Sequence, residues 1–197
     1  TAAQWLSWAA RVRRAQREGM SGVVIIHGTD TMAYTGSVLS FLLEERPLPV
    51  VLTGSQRPLS AVRSDARLNL IDATLLACGP LREVLISFDS LGLRANRVIK
   101  TSSNSLHAFD SPGCTPLAEL GVEVRYSDHG LTTAGIAREL ALGERVRLSW
   151  VVPDLKAPEP WRPDGLAVHV LALLGSGNLP LRSGRFDVAA RNAPVRT

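Results

Sequence analysis

The sequence contains two lysines, two cysteines and no apolar run of about 18 residues, and each shortage removes a class of protein. Without such a run no segment is expected to span a membrane as a helix. No basic stretch followed by an apolar one opens the chain, so no secretory leader is expected in it. Cys78 and Cys114 lie far apart and match no metal-ligand spacing. Two buried free thiols in a reducing compartment are expected instead. No G-x-G-x-x-G or Walker loop follows any apolar run, which argues against a generic nucleotide-binding domain. Internal repeats and low-complexity tracts are also missing.

What remains is a chain of 197 residues, long enough for one substantial core or for one core and part of another. Its apolar fraction of 45% is ordinary for a globular protein. The net charge of +4 arises from 20 arginines and 2 lysines against 18 acids. A basic balance can signal nucleic acid. Here the arginines are scattered, apart from Arg11, Arg13, Arg14 and Arg17 on one amphipathic helix, and no nucleic-acid motif accompanies them. A solvated helix face is the simpler reading, and no nucleic-acid partner is expected.

The first half alternates between helical and strand periods, the pattern of a parallel α/β sheet. Trp5, Trp8, Ala9 and Val12 fall at helical spacing, and Gly19 and Gly22 end that helix. Val23 to Ile26 is an unbroken branched run, suited to a strand buried on both faces. Met32, Val38, Leu39 and Leu42 form the next helical stripe, ending before Pro47, and Val50 to Leu52 is a second strand. Ser64 is a plausible N-cap for a helix carrying Leu68, Ile71 and Leu75, closed by Gly79 and Pro80, and Val84 to Phe88 is a third strand. Right-handed crossovers would gather these strands into one doubly wound sheet. Further on, Val122 to Tyr126 reads as a strand, Ala134 to Leu142 as a helix or turn, and Ala167 to Leu174 as another strand. Four prolines and Gly165 within residues 151–165 mark a linker.

Two polar loops directly follow apolar strands: His27-Gly28-Thr29-Asp30 and Thr53-Gly54-Ser55-Gln56. Open α/β sheets bind ligands outside the carboxyl ends of their strands. The first loop also opens a helix, whose free N–H groups suit an anion or a developing oxyanion. The simpler reading makes Thr29 or Asp30 an N-cap and Gly28 a turn residue. Two such loops on neighbouring strands favour a shared site. Lys100 stands out because the chain otherwise prefers arginine: a lysine can lose its proton and act as a base, whereas arginine cannot. Arg94 and Arg97 are near it in sequence and could depress its pKa; a chance surface lysine is the alternative.

These segments carry a family resemblance. GVVIIHGTDTMAYTGSVLSFLLE (residues 22–44) is similar to the second signature of the bacterial-type asparaginases. TGSQRPLSAVRSDARLNLIDA (53–73) resembles the segment that follows it, and RANRVIKTSSNSLHAFDSP (94–112) the segment with the family's catalytic lysine. LGSGNLP (174–180) resembles a turn of the smaller C-terminal domain. The form of Arg63, Ser64, Asp65, Asn69 and Leu70 favours the cytoplasmic type I branch.

The resemblance implies hydrolysis of the side-chain amide of asparagine through an acyl-enzyme, with no metal or organic cofactor. It implies a catalytic triad of Thr29, Asp30 and Lys100. A threonine hydroxyl is a weak nucleophile, so a base must take its proton, and Lys100 held by Asp30 would relay it. Gly28, Thr29, Asp30 and Ser55 would bind substrate, with Asp30 as a buried carboxylate pairing with the α-ammonium group, and Gln56 would lie just behind. A homodimer or homotetramer in the cytoplasm is implied.

The sequence departs from the family by lacking the threonine–glycine–glycine–threonine loop that carries the family's other catalytic threonine, and the serine loop that binds the substrate carboxylate. The expectation is therefore an incomplete chain, with a segment missing before Thr1 and an internal break near residues 168–174. The expected domains are 1–150 (the catalytic α/β domain), 151–165 (linker) and 166–197 (part of a smaller α/β domain). Two other functions fit HGTDTM: the amidase-like subunit of a glutamyl-tRNA amidotransferase, or a non-catalytic asparagine-binding remnant.

Overall fold

The computed structural model describes residues 1–136, 142–143, 145–150 and 168–173. The chain divides into two compact units, Thr1–Leu140 and Ala141–Thr197. The proposed linker at 151–165 and the LGSGNLP segment lie outside the described residues.

In the first unit the elements run α1 (Ala2–Arg17), β1 (Val23–Ile26), α2 (Thr29–Leu42), β2 (Val50–Thr53), α3 (Ala66–Ala77), β3 (Val84–Phe88) and β4 (Leu91–Arg94). A 3-10 turn at Ala95–Arg97 leads into a hairpin of β5 (Ile99–Lys100) and β6 (Phe109–Asp110), followed by β7 (Ala118–Leu120) and β8 (Val124–Tyr126). One sheet of six strands has the order β1-β2-β3-β4-β7-β8. Its first three strands are parallel and the others antiparallel, so the architecture is a mixed, doubly wound α/β sheet.

Side-chain alternation places the helices. Val51 and Leu85 share one face and pack with Ala73, Leu76 and Ala77 of α3. The next residue along, Ile86, points the other way and meets Gly36 of α2. Hence α2 and α3 cover opposite faces. Because β1, β2 and β3 are neighbours in sequence order, two right-handed crossovers would have left both helices on one face. One crossover is therefore left-handed, which corrects the expectation drawn from the usual rule.

Up to residue 126 the strand and helix expectations hold, with three further corrections. β2 and β3 are buried along their whole lengths, as continuous branched runs suggest. β1 is only half-buried, because it is the edge of the described sheet. The stripe Leu68, Ile71 and Leu75 is exposed by 54%, 48% and 49%, and α3 buries Asn69, Asp72, Ala73, Leu76 and Ala77 instead. Close packing selects those small residues: the backbone of Gly22 lies so near Ala77 that a methyl group would come within 1.9 Å of its carbonyl. Ser64 does not cap α3; Asp65 occupies that position, and the Ser64 hydroxyl accepts the Ala66 N–H. Cys78 is exposed at the end of α3 and Cys114 is half-buried, both as free thiols rather than buried ones.

β3 and β4 are joined by a two-residue turn in which Asp89 and Ser90 both have positive φ, 50° and 58°. That is the geometry favoured for tight hairpins, here taken by two non-glycine residues. Residues 134–136 have no regular structure, and residues 137–141 of the expected helix or turn lie outside the described residues. In the second unit β9 (Val146–Trp150) pairs in parallel with β10 (Val168–Ala172). β10 matches the strand expected at 167–174, whereas β9 had no clear signal.

Among the described residues no helix is long and apolar enough to cross a membrane. No group of three or more His, Cys, Asp or Glu side chains there could hold a metal ion.

Candidate active site

The loop after β1 turns at Gly28, the N-cap residue of α2, so Thr29 and Asp30 open the helix. Gly28 has an ordinary φ of −67° and empty space where a Cβ would project. Its backbone would therefore admit another residue, and the glycine leaves room beside the helix N-terminus. Neither Thr29 nor Asp30 serves as the cap that the simpler reading assigned them.

Their side chains meet Lys100 instead. Its Nζ donates to Thr29 Oγ1 at 2.8 Å and to Asp30 Oδ1 at 2.7 Å. The lysine arrives from β5, 70 residues beyond Asp30, and the pairing of Lys100 with Phe109 fixes the height of its strand. Phe109 is buried and packs edge-on against Phe88, 5.0 Å between ring centres, anchoring the hairpin to β3. The Lys100 side chain is 16% exposed, whereas that of Asp30 is 91% exposed. Asp30 is thus not the buried carboxylate expected; it sits on the open rim of the site. Its hydrogen bond to Lys100, reinforced by the lysine charge, holds its carboxyl below the usual carboxylate range. Arg94 is engaged elsewhere, through two hydrogen bonds to Glu83 and one to the His129 carbonyl.

Ser55 lies on the other side of the Gly28 loop. Gly54 presses against the first loop: a Cβ there would fall 2.3 Å from the His27 carbonyl oxygen and 3.0 Å from the Met32 methyl. The N–H of His27 donates to the Thr53 carbonyl at 2.8 Å, continuing the strand pairing into the loops. Gly28 and Ser55 line one cleft of about 490 Å³, walled by Ile26, Leu59 and Leu70. Asp30 and Lys100 line a second, of about 460 Å³, with Tyr34, Ser37 and Asn96. The structure thus joins Thr29, Asp30 and Lys100 directly, whereas Gly28 and Ser55 line a separate cleft.

Several polar residues at the site had no assigned role in the sequence. The His27 ring contacts Thr35 Oγ1 at 3.0 Å and stacks edge-on with Trp8, while Trp5 Nε1 donates to the same hydroxyl at 3.0 Å. Asp65 accepts the backbone N–H groups of Gln56 and Arg57 at 2.9 and 3.1 Å. Buried Asn69 donates to the Gly54 carbonyl at 3.0 Å. The available signal was a polar pair, Asp65 and Asn69, four residues apart and so on one face of the predicted helix.

A strand-end site built from two loops and a lysine can be set beside known proteins. The model of the family described as "Asparaginase, N-terminal" matches residues 1–131. The chain is 45% identical over 113 residues to L-asparaginase 1 of Escherichia coli, an alignment covering 57% of this chain and 33% of that protein. It is 40% identical over 194 residues to an L-asparaginase of Dirofilaria immitis, covering 93% of this chain and 32% of that one. The crystal structure of L-asparaginase I from Vibrio cholerae superposes with a TM-score of 0.79 at 30% identity, covering 97% of this chain and 61% of the other. The chain spans about a third of the length of these curated relatives. With two thirds of its length matched by the family model and the fold shared, the chain belongs to the asparaginase family.

Proposed function

We propose that the full-length protein is an L-asparaginase, releasing ammonia from the side-chain amide of asparagine and leaving aspartate. The observation that carries this reading is the single ammonium group of Lys100, bonded to both Thr29 Oγ1 and Asp30 Oδ1.

In the proposed reaction the Thr29 hydroxyl attacks the amide carbon while its proton passes to Lys100 Nζ, which gives up another to the amide nitrogen. That proton then leaves with the nitrogen as ammonia, and an ester on Thr29 remains. A water molecule, deprotonated along the same Lys100 route, hydrolyses the ester and regenerates the hydroxyl. Asp30 fixes the lysine, and its exposed oxygen is free to meet the substrate's α-ammonium group. Ser55, which lines the cleft beside Gly28, would meet the amide end. The unpaired N–H groups at the start of α2 suit the oxyanion that forms during attack. No step requires a cofactor.

The likeness to type I asparaginases supports extending the proposal to a cytoplasmic homodimer or homotetramer. The expected catalytic α/β domain at 1–150 is proposed to end near Leu140, because β9 pairs with β10 in the second unit; a linker at 151–165 and part of a smaller domain at 166–197 are proposed as expected. The test is ammonia release from asparagine by the full-length protein. Turnover supports the assignment. Saturable asparagine binding with no release would identify a binding module instead, and turnover only with a partner subunit and an RNA would identify an amidotransferase subunit.

A further inference from the structure

We propose that Asn69, Asp65, Gln56, Ser105, His107 and Asp89 form one closed ring of hydrogen bonds that positions the Lys100 hairpin against the Ser55 loop, making Gln56 and His107 positioning residues. The catalytic consequence rests on the amidohydrolase reading; the ring itself does not.

The ring can be followed bond by bond. Asn69 Nδ2 donates to Asp65 Oδ2 at 3.1 Å, and that oxygen also accepts the Gln56 backbone N–H at 2.9 Å. The Gln56 side chain then reaches 49 residues along the sequence, with Nε2 donating to the Ser105 carbonyl at 3.1 Å and more weakly to that of Ser102 at 3.4 Å. Ser105 Oγ accepts the His107 N–H at 3.1 Å, and His107 Nδ1 meets Asp89 Oδ2 at 2.8 Å. The Asp89 N–H closes the circuit on Asn69 Oδ1 at 3.2 Å.

Two features set the ring apart from ordinary loop contacts. Asn69 is only 2% exposed, and its amide uses both donors and its acceptor: one hydrogen to Gly54 O, one to Asp65, and its oxygen on Asp89. A buried amide with all three groups engaged fixes three segments relative to one another. In addition, residues 102–107 are the tip of the hairpin whose first strand carries Lys100. Buried Phe109 holds the hairpin's base, and the ring grips its tip at two separate points, the carbonyls and the histidine. Fixing both ends of a short hairpin fixes the lysine between them. The positive φ of Asp89 belongs to the same device, since the tight turn aims its N–H at Asn69 and its carboxylate at His107.

The test is a double-mutant cycle in the full-length protein with Gln56→Ala and His107→Ala. Opening the ring at either point frees the same hairpin tip, so each variant should lower kcat by about tenfold or more, while KM changes less. The pair should cost no more than about twofold beyond the larger single effect. His107→Asn, whose amide nitrogen can donate to Asp89 in place of Nδ1, should restore most of the loss. Singles within twofold of wild type, or multiplicative effects in the pair, would overturn the proposal. Amide hydrogen exchange supplies an arm independent of catalysis: in His107→Ala the Gln56 and Arg57 N–H groups should exchange faster, although they lie across the ring. Unchanged exchange there overturns the ring even if the enzyme is active. If wild type releases no ammonia, the asparaginase reading fails and the exchange result alone decides the ring.

Discussion

A methyl group on Gly54 would stand 2.3 Å from the carbonyl oxygen of His27, so the two strand-end loops meet main chain to main chain. No side chain fits between them. Gly54→Ala must therefore push the Ser55 loop away from the Thr29 loop. We expect a loss of about 2 kcal/mol in unfolding stability, the usual cost of overpacking, with a fall in turnover of about tenfold or more. Chemical denaturation and ammonia release check the two effects, and an unaffected Gly54→Ala protein would show that the loops separate at no cost.

The Asp30–Lys100 pair predicts a pH response with a definite sign. The folded-state pKa of Asp30 is lowered, chiefly by its hydrogen bond to Lys100. Its contribution is therefore complete above the ordinary aspartate pKa of about 3.9 and is lost as pH falls through the lower folded value. Carboxyl-carbon NMR titration should find the Asp30 midpoint below the ordinary range. Lys100→Met should move that midpoint upward. An identical midpoint in both proteins would mean that the pair does not hold in solution.

Glu83 is 6% exposed; Arg94 donates to it twice, at 2.6 and 2.9 Å, and the Leu131 N–H once, at 2.7 Å. The hydrogen bond to Glu83 raises the already high pKa of Arg94. Arg94→Met leaves a buried carboxylate without its cation and should cost about 3 kcal/mol. The double variant with Glu83→Leu should recover much of that loss, because it removes the stranded charge. Urea unfolding of the two variants distinguishes this from a simple loss of packing, in which the double variant would be worse.

The sequence carried the elements of the fold more clearly than their arrangement. β2 and β3 announce themselves as branched runs because both their faces are buried, and such burial leaves no polar positions to interrupt the pattern. α3 misled because its apolar stripe at Leu68, Ile71 and Leu75 faces outward, while its inward face is built from Asn69, Asp72 and alanines. Periodicity counts apolar residues and cannot tell a face that packs through small and polar groups from a solvated one. The hand of the crossovers was also hidden, since it depends on which face each helix covers and not on any local signal. Within the site, Thr29, Asp30 and Lys100 were legible as motif residues, and their meeting at 2.7–2.8 Å is what the fold adds. Asp89 and His107 were illegible, because they contact each other only after two turns have brought distant segments together.

The central claim is that Lys100 serves the Thr29 hydroxyl as its proton partner. The most direct measurement is asparagine turnover and asparagine affinity in Lys100→Met, beside wild type, in the full-length protein. The account predicts that turnover falls by at least about a thousandfold, as for loss of a general base, while binding changes only modestly. Turnover retained within tenfold, in a folded protein that binds asparagine, would remove Lys100 from the mechanism and contradict the account.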